Sequence, residues 1–242
     1  MNTLLKLATC LTLVCLTLAA CSGSASSDAA KAPHYAAQLM IMSDVSGSSA
    51  VQGDDVVGKA VRARIGEAVK AMALGDSSTI IEVGSLSAER FVTHPTITTT
   101  AQLRQAAAAR KVTLQLEDIA AKQRANGGDG GTHLTMALAS LQPDCRSGRS
   151  KIKIVSDGLE QSNAYSAVAA INAGKPVELP PPSGASLKGC KIEFLGFGMA
   201  VDSAGTAVLL PEAQLRSLRD GWAQWLTAAG VAPDDMVFTS LL

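Results

Sequence analysis

From residue 36 onward, short apolar runs alternate with longer stretches whose apolar positions recur every three or four residues. Leu39 to Met42 reads as a first buried strand. Val57, Val61, Ile65, Ala68, Val69 and Met72 then follow at helical spacing, and Gly75 is a natural stop. Thr79 to Val83 reads as a second strand, and Phe91 to Thr98, with Pro95 inside it, as an edge strand. Ala101 to Arg124 is rich in Ala, Gln, Leu and Lys and reads as a helix. Val112, Leu114 and Leu116 alternate within it as in a strand, so a break in its middle is the alternative. The glycine-rich run from Asn126 to Gly131 ends it, and Thr132 opens a short helix, Leu134 to Leu141.

Two more strands follow, Lys151 to Ser156 and Lys191 to Gly196, separated by a rigid loop from Leu179 to Gly184. Pro211 then starts the strongest helix, Glu212 to Ala228, with Leu215, Leu218, Trp222 and Trp225 along one face. Met236 to Thr239 is the sixth strand. Alternation of this kind predicts an α/β fold: a doubly wound, mostly parallel six-stranded sheet with helices on both faces. Residues 36–242 suit one domain with a full core.

The first 35 residues change the picture. Leu4 to Leu18 is apolar but too short to span a bilayer, and small and polar residues follow it, so residues 1–20 read as a secretory signal. Leu18-Ala19-Ala20-Cys21 resembles the bacterial lipobox, which implies a lipoprotein with Cys21 as the acylated N-terminus. Ser22 in place of an Asp resembles an outer-membrane address, which places the domain in the cell envelope facing the periplasm. The Ser-, Ala- and Gly-rich stretch from Cys21 to residue 35 reads as a flexible tether.

Composition narrows the function further. Twenty-one Lys and Arg balance twenty-one Asp and Glu, and aromatics are sparse, so neither a basic field nor a stacking surface favours nucleic acid. Cys10 and Cys15 leave with the signal and Cys21 goes to lipid, leaving Cys145 and Cys190 as an even pair in an oxidising compartment. Each precedes a predicted strand, so adjacent parallel strands bring both to one edge. A disulfide there closes a long loop, and two buried free thiols are the alternative.

Asp44-Val45-Ser46-Gly47-Ser48 follows the first strand and Ser156-Asp157-Gly158 ends the fourth. Ligands of doubly wound sheets gather outside the carboxyl ends of the strands. Asp44, Ser46, Ser48, Thr132 and Asp157 would meet there as five oxygen donors without histidine or cysteine, a set that suits Mg²⁺, with Mn²⁺ or Ca²⁺ as alternatives, and disfavours zinc or copper. The three segments in this order, with Gly130-Gly131-Thr132 between them, resemble the metal-ion-dependent adhesion site of the von Willebrand factor type A (VWA) domain. The resemblance covers about residues 36–242 and implies a Rossmann-like fold. It also implies Ser46, Ser48 and Thr132 as metal contacts, and Asp44 and Asp157 acting directly or through water. The partner would be a protein that supplies an Asp or Glu carboxylate. By the same resemblance the helix Glu212 to Ala228 shifts when the site fills.

Two other functions compete with docking. A metal-assisted hydrolase would need a general base, and only His133 offers itself, although a surface histidine without a role is the simpler reading. A structural lipoprotein would carry the same residues as a vestigial site. The remaining candidates have plainer explanations: His94 as a turn residue, Asp54 and Asp55 as a helix cap, Asp234 and Asp235 as a solvated turn, and Trp222 and Trp225 as core. Gly196-Phe197-Gly198 follows a strand, but Val201 stands where a dinucleotide fingerprint needs its last glycine.

Overall fold

The computed structural model describes residues 36–49, 56–84, 91–128, 130–162, 165–201 and 206–240. The signal segment, Cys21, the tether, Asp54 and Asp55 lie outside the described residues. Nine strands are described: β1 (Gln38–Asp44), β2 (Ser77–Val83), β3 (Val92–Thr93), β4 (Ile97–Thr98), β5 (Lys151–Val155), β6 (Lys191–Leu195), β7 (Met199–Val201), β8 (Ala207–Leu209) and β9 (Met236–Thr239). The described helices are α1 (Val56–Lys70), α2 (Gln105–Asn126), α3 (Leu134–Ser140), α4 (Ala167–Asn172) and α5 (Glu212–Ala228).

The main sheet runs in the order β3-β2-β1-β5-β6-β9, with β4 also on β2. β1, β2, β5, β6 and β9 are parallel, whereas β3 and β4 run antiparallel to β2. From β1 the chain steps outward to β2 and later returns on the other side of β1 as β5, so the order reverses between β1 and β5. Crevices form at such switch points because the loops leaving the two strands turn to opposite faces.

Alternation along the strands explains why both faces carry helices. Leu39 and Ile41 of β1 join Val61, Ile65 and Val69 of α1 and Val112, Leu116 and Ile119 of α2 in one core. Met42 of the same strand joins Leu134 and Leu138 of α3 and Leu218 and Trp222 of α5 in the other. Each fully buried aliphatic or aromatic side chain contributes about 1.5–3 kcal/mol, so the two cores are what hold the switch point closed.

One expectation needs correction, one alternative is settled, and two elements are new. Pro95 has no N–H to give a ladder, and the expected single edge strand is broken around it into β3 and β4, which makes the main sheet seven-stranded. α2 is unbroken: Val112 and Leu116, four residues apart, share its buried face, and Leu114 points to solvent. α4 and the β7–β8 hairpin were not expected from the pattern. Cys145 and Cys190 form a disulfide with Cα atoms 5.0 Å apart, at the edge where Lys151 of β5 faces Lys191 of β6. Among the described residues no helix is long and apolar enough to cross a membrane.

Candidate metal centre

β1 and β5 deliver the two aspartates. Asp44 is the last residue of β1, in register with Val83 of β2, and Asp157 lies two residues past β5. Both are fully buried. The serine loop then doubles back: Ser46 N donates to Asp44 Oδ1 at 2.9 Å, and the Ser46 and Ser48 hydroxyls lie 3.3 Å apart. Ser46 is buried and Ser48 exposed, so the pair runs from the interior to the surface.

The glycine run docks on that loop. Gly128 has a positive φ, and a Cβ there would come within 2.6 Å of Gly47 Cα, so only glycine permits the approach. Gln123, on the last turn of α2, donates from Nε2 to Ser46 O at 2.6 Å and ties the loop to the helix. Thr132 Oγ1 donates to Asp44 Oδ1 at 3.2 Å. Thr132 also pairs through its backbone with Gln161, donating at 3.0 Å and accepting at 2.9 Å. The structure thus brings all five predicted donors to one place, and three of them, Ser46, Ser48 and Thr132, line a cavity of about 400 Å³ together with Leu159 and Val168.

Asp157 sits in a turn held from several directions. Gly198 N donates to its carbonyl at 2.8 Å, and Trp222 Nε1 donates to Gly158 O at 2.7 Å. Gly158 has a positive φ, and a Cβ there would lie 2.7 Å from the Phe197 ring. Ser156 joins the two aspartates: its hydroxyl donates to Asp44 Oδ2 at 2.5 Å and accepts from Gly158 N at 3.0 Å.

The two carboxylates differ in what they already hold. Asp44 accepts at both oxygens, from Ser46, Thr132 and Ser156. Asp157 Oδ1 accepts from Leu159 N at 2.8 Å, and its buried Oδ2 meets no donor. The Ser48 and Ser156 hydroxyls stand close enough to favour its charge without completing a bond to Oδ2. Burial raises the pKa of Asp44 against the pull of these hydrogen bonds. Burial, and then the charge of Asp44 beside it, raise Asp157 well above the usual carboxylate range. Among the described residues no basic side chain forms a salt bridge with Asp157.

A cation fits this donor set. Two carboxylates and three hydroxyls at a strand-end crevice suit a hard, oxygen-seeking ion, and the unmatched Oδ2 supplies an acceptor for it. Among the described residues no group of three or more His, Cys, Asp or Glu is placed to hold a metal, and a hydroxyl-rich set is a different kind of site.

Sequence reasoning missed Glu160 and misplaced His133. Glu160 is fully buried behind the site and accepts from Thr135 N and Oγ1, and burial pushes its pKa up to about 7. An acid three residues past Asp157 was its one signal in the chain. His133 is no surface residue: it is 4% exposed, its Nδ1 has no hydrogen-bond partner, and burial lowers its pKa, so it stands neutral. The plainer readings hold for His94, for Asp234 and Asp235, and for the tryptophans. His94 turns between β3 and β4 and meets Glu82 at 2.6 Å, Asp234 and Asp235 lie in a short 3₁₀ turn, and the two tryptophans are core.

No family model matches the chain, and neither does any curated protein sequence. Among solved structures the chain is similar to an aerotolerance-related membrane protein from Bacteroides fragilis with multiple mutations to serines. The two are 18% identical over 84% of this chain and 90% of that one, with a TM-score of 0.45. It is also similar to the conserved hypothetical protein BatB from Bacteroides thetaiotaomicron, at 20% identity over 84% and 89% of the two chains and a TM-score of 0.45. Proximal thread matrix protein 1 from the mussel byssus is 11% identical over 85% of this chain and 44% of that one, again with a TM-score of 0.45.

Proposed function

We propose that residues 36–242 form a VWA-type binding module that holds a divalent cation, Mg²⁺ before Mn²⁺ or Ca²⁺, and docks an Asp or Glu carboxylate of a partner protein. The observation that carries this reading is Asp157: a fully buried carboxylate whose Oδ2 meets no donor, beside a second buried carboxylate. Such a pair costs several kcal/mol unless a positive charge enters. Asp44 is committed to three protein donors, so it contributes charge and holds Thr132 and Ser156 in place. Asp157 Oδ2 and the hydroxyls of Ser46, Ser48 and Thr132 keep lone pairs for an ion.

A divalent cation in this set supplies one electrophilic position to which an incoming carboxylate is drawn. Ser48 brings the set to the surface, and the cavity beside it admits a side chain, with Leu159 and Val168 as an apolar wall. Docking of this kind needs neither nucleophile nor proton shuttle, and the module is proposed to act as a binder and not as an enzyme. Lipid on Cys21 would hold it on the bacterial envelope, at the outer membrane by the Ser22 address, facing the periplasm.

Titration of the full-length protein with Mn²⁺ and Mg²⁺ tests the ion, with saturable binding expected in the wild type and lost in Asp157→Ala. Partner capture from a membrane extract tests the docking, with loss expected on chelation and in Asp44→Ala. Capture that survives both treatments unchanged would sink the metal-bridge reading, and a wild type without saturable binding would favour a scaffold with a vestigial site.

A further inference from the structure

Glu160 lies outside the five-donor set, yet its contacts run toward Thr132. Its side chain grips the first turn of α3: Thr135 Oγ1 donates to Oε1 at 2.8 Å and Thr135 N donates to Oε2 at 3.2 Å. α3 begins two residues after Thr132, and its own cap residue, His133, makes no side-chain cap bond. Glu160 therefore supplies from a distant loop the cap that the local sequence lacks.

The backbone around Glu160 extends the same grip. Its carbonyl accepts from Ala167 N, the first residue of α4, at 2.9 Å, and Gln161 next to it pairs with Thr132 in both directions. The segment from Asp157 to Gln161 thus has one cation donor at its start and holds another at its end.

We propose that Glu160 is the positioning residue of the cation site: by clamping the first turn of α3 it sets the Thr132 hydroxyl against Asp44. The consequence for metal rests on the cation-binding reading above, whereas the clamp itself can be read without metal. A group that merely fills buried space would lower stability when removed and leave the Thr132 backbone and the metal affinity alone. A positioning group moves both.

Glutamine separates position from charge. Its amide oxygen accepts from the Thr135 backbone N–H, and its NH₂ donates to Thr135 Oγ1, which can turn from donor to acceptor. Alanine leaves both donors unmatched.

The experiment uses full-length wild type, Glu160→Gln, Glu160→Ala and Thr135→Val. Mn²⁺ affinity is read from the free-ion paramagnetic signal, and amide hydrogen exchange at Thr132 is read in chelator. Outer-shell partners of metal ligands are commonly worth about 10- to 100-fold in affinity, so Glu160→Ala should bind Mn²⁺ that much more weakly, with Glu160→Gln within about threefold of wild type. Thr132 exchange should quicken in Glu160→Ala and Thr135→Val and stay near wild type in Glu160→Gln. The inference is overturned if Thr132 exchange is unchanged in the variants that lose the clamp, or if Glu160→Gln loses as much affinity as Glu160→Ala. A wild type without saturable Mn²⁺ binding would defeat the cation reading, and the exchange arm would then decide the clamp by itself. Should Glu160→Ala fail to fold, Thr135→Val and Glu160→Gln give the same comparison.

Discussion

Asp76 and Asp157 are buried aspartates at opposite ends of one parallel sheet, and the protein treats them in opposite ways. Asp76, just before β2, accepts from Ala37 N at 2.8 Å, from Ala73 N at 2.9 Å, and from both terminal nitrogens of Arg149 at 2.9 and 3.2 Å. Burial opposes its charge, but the Arg149 bonds and the two amides prevail and lower its pKa. Asp157, just after β5, has one amide and an unmatched oxygen, and its pKa is raised. At the amino end the Asp76 carboxylate has both oxygens matched from within the chain. At the carboxyl ends the Asp157 carboxylate is left with an open oxygen, and ligands of such sheets gather at that end.

The contrast can be broken or sharpened by experiment, beginning with the largest effect. The amino-end edge is stapled by Cys145–Cys190 across a separation of 45 residues. In the chain-entropy model, Cys145→Ser with Cys190→Ser should cost about 4 kcal/mol in urea unfolding, with the carboxyl-end Mn²⁺ affinity spared once the protein is folded. Equal loss at both ends would erase the distinction.

A pH titration of metal-free protein probes the other end. The pKa of Glu160 rises from 4.5 to about 7 on folding, so between these values the native state holds a proton that the unfolded chain has shed. Its contribution is intact below about pH 4.5 and is lost as pH rises toward 7, by about 3 kcal/mol in all. Asp44 and Asp157, also raised, add to the same slope. Urea unfolding in chelator should show this decline, and Glu160→Gln should flatten it. A stability that climbs over that range would contradict the picture.

The sharpest test makes one substitution at both ends. Asp76→Asn breaks a satisfied ion pair, and because Arg149 is partly exposed the cost should sit near the low end, about 2 kcal/mol. Asp157→Asn removes a carboxylate whose charge burial and Asp44 both oppose, and should stabilise metal-free protein at pH 7. Opposite signs in the same chelated buffer are the expected outcome, and like signs would mean that the two sites are not built differently.

What the sequence discloses follows the same divide between local and tertiary causes. α5 and the strands β1, β5 and β6 were legible because their apolar runs are long or strongly periodic. α4 was not, since Ala167-Val168-Ala169-Ala170 offers no contrast between faces, and the three-residue strands β7 and β8 are too short to show a period of their own. At the site, the spacing of Asp44, Ser46, Ser48, Thr132 and Asp157 was readable because each sits at a strand end or beside glycines. Glu160 and the burial of His133 were not readable, because both depend on a loop folding back against a helix some 25 residues away in sequence.

Trp222 and Trp225 are the two tryptophans of the chain, and their indoles hold different loops, Trp222 at Gly158 O and Trp225 at Pro180 O. The first of these carbonyls belongs to the residue next to Asp157. The protein therefore carries its own optical probe: in a Trp225→Phe background the remaining emission reports on the turn that presents Asp157, and the proposed ion uptake would be followed by light without any added label.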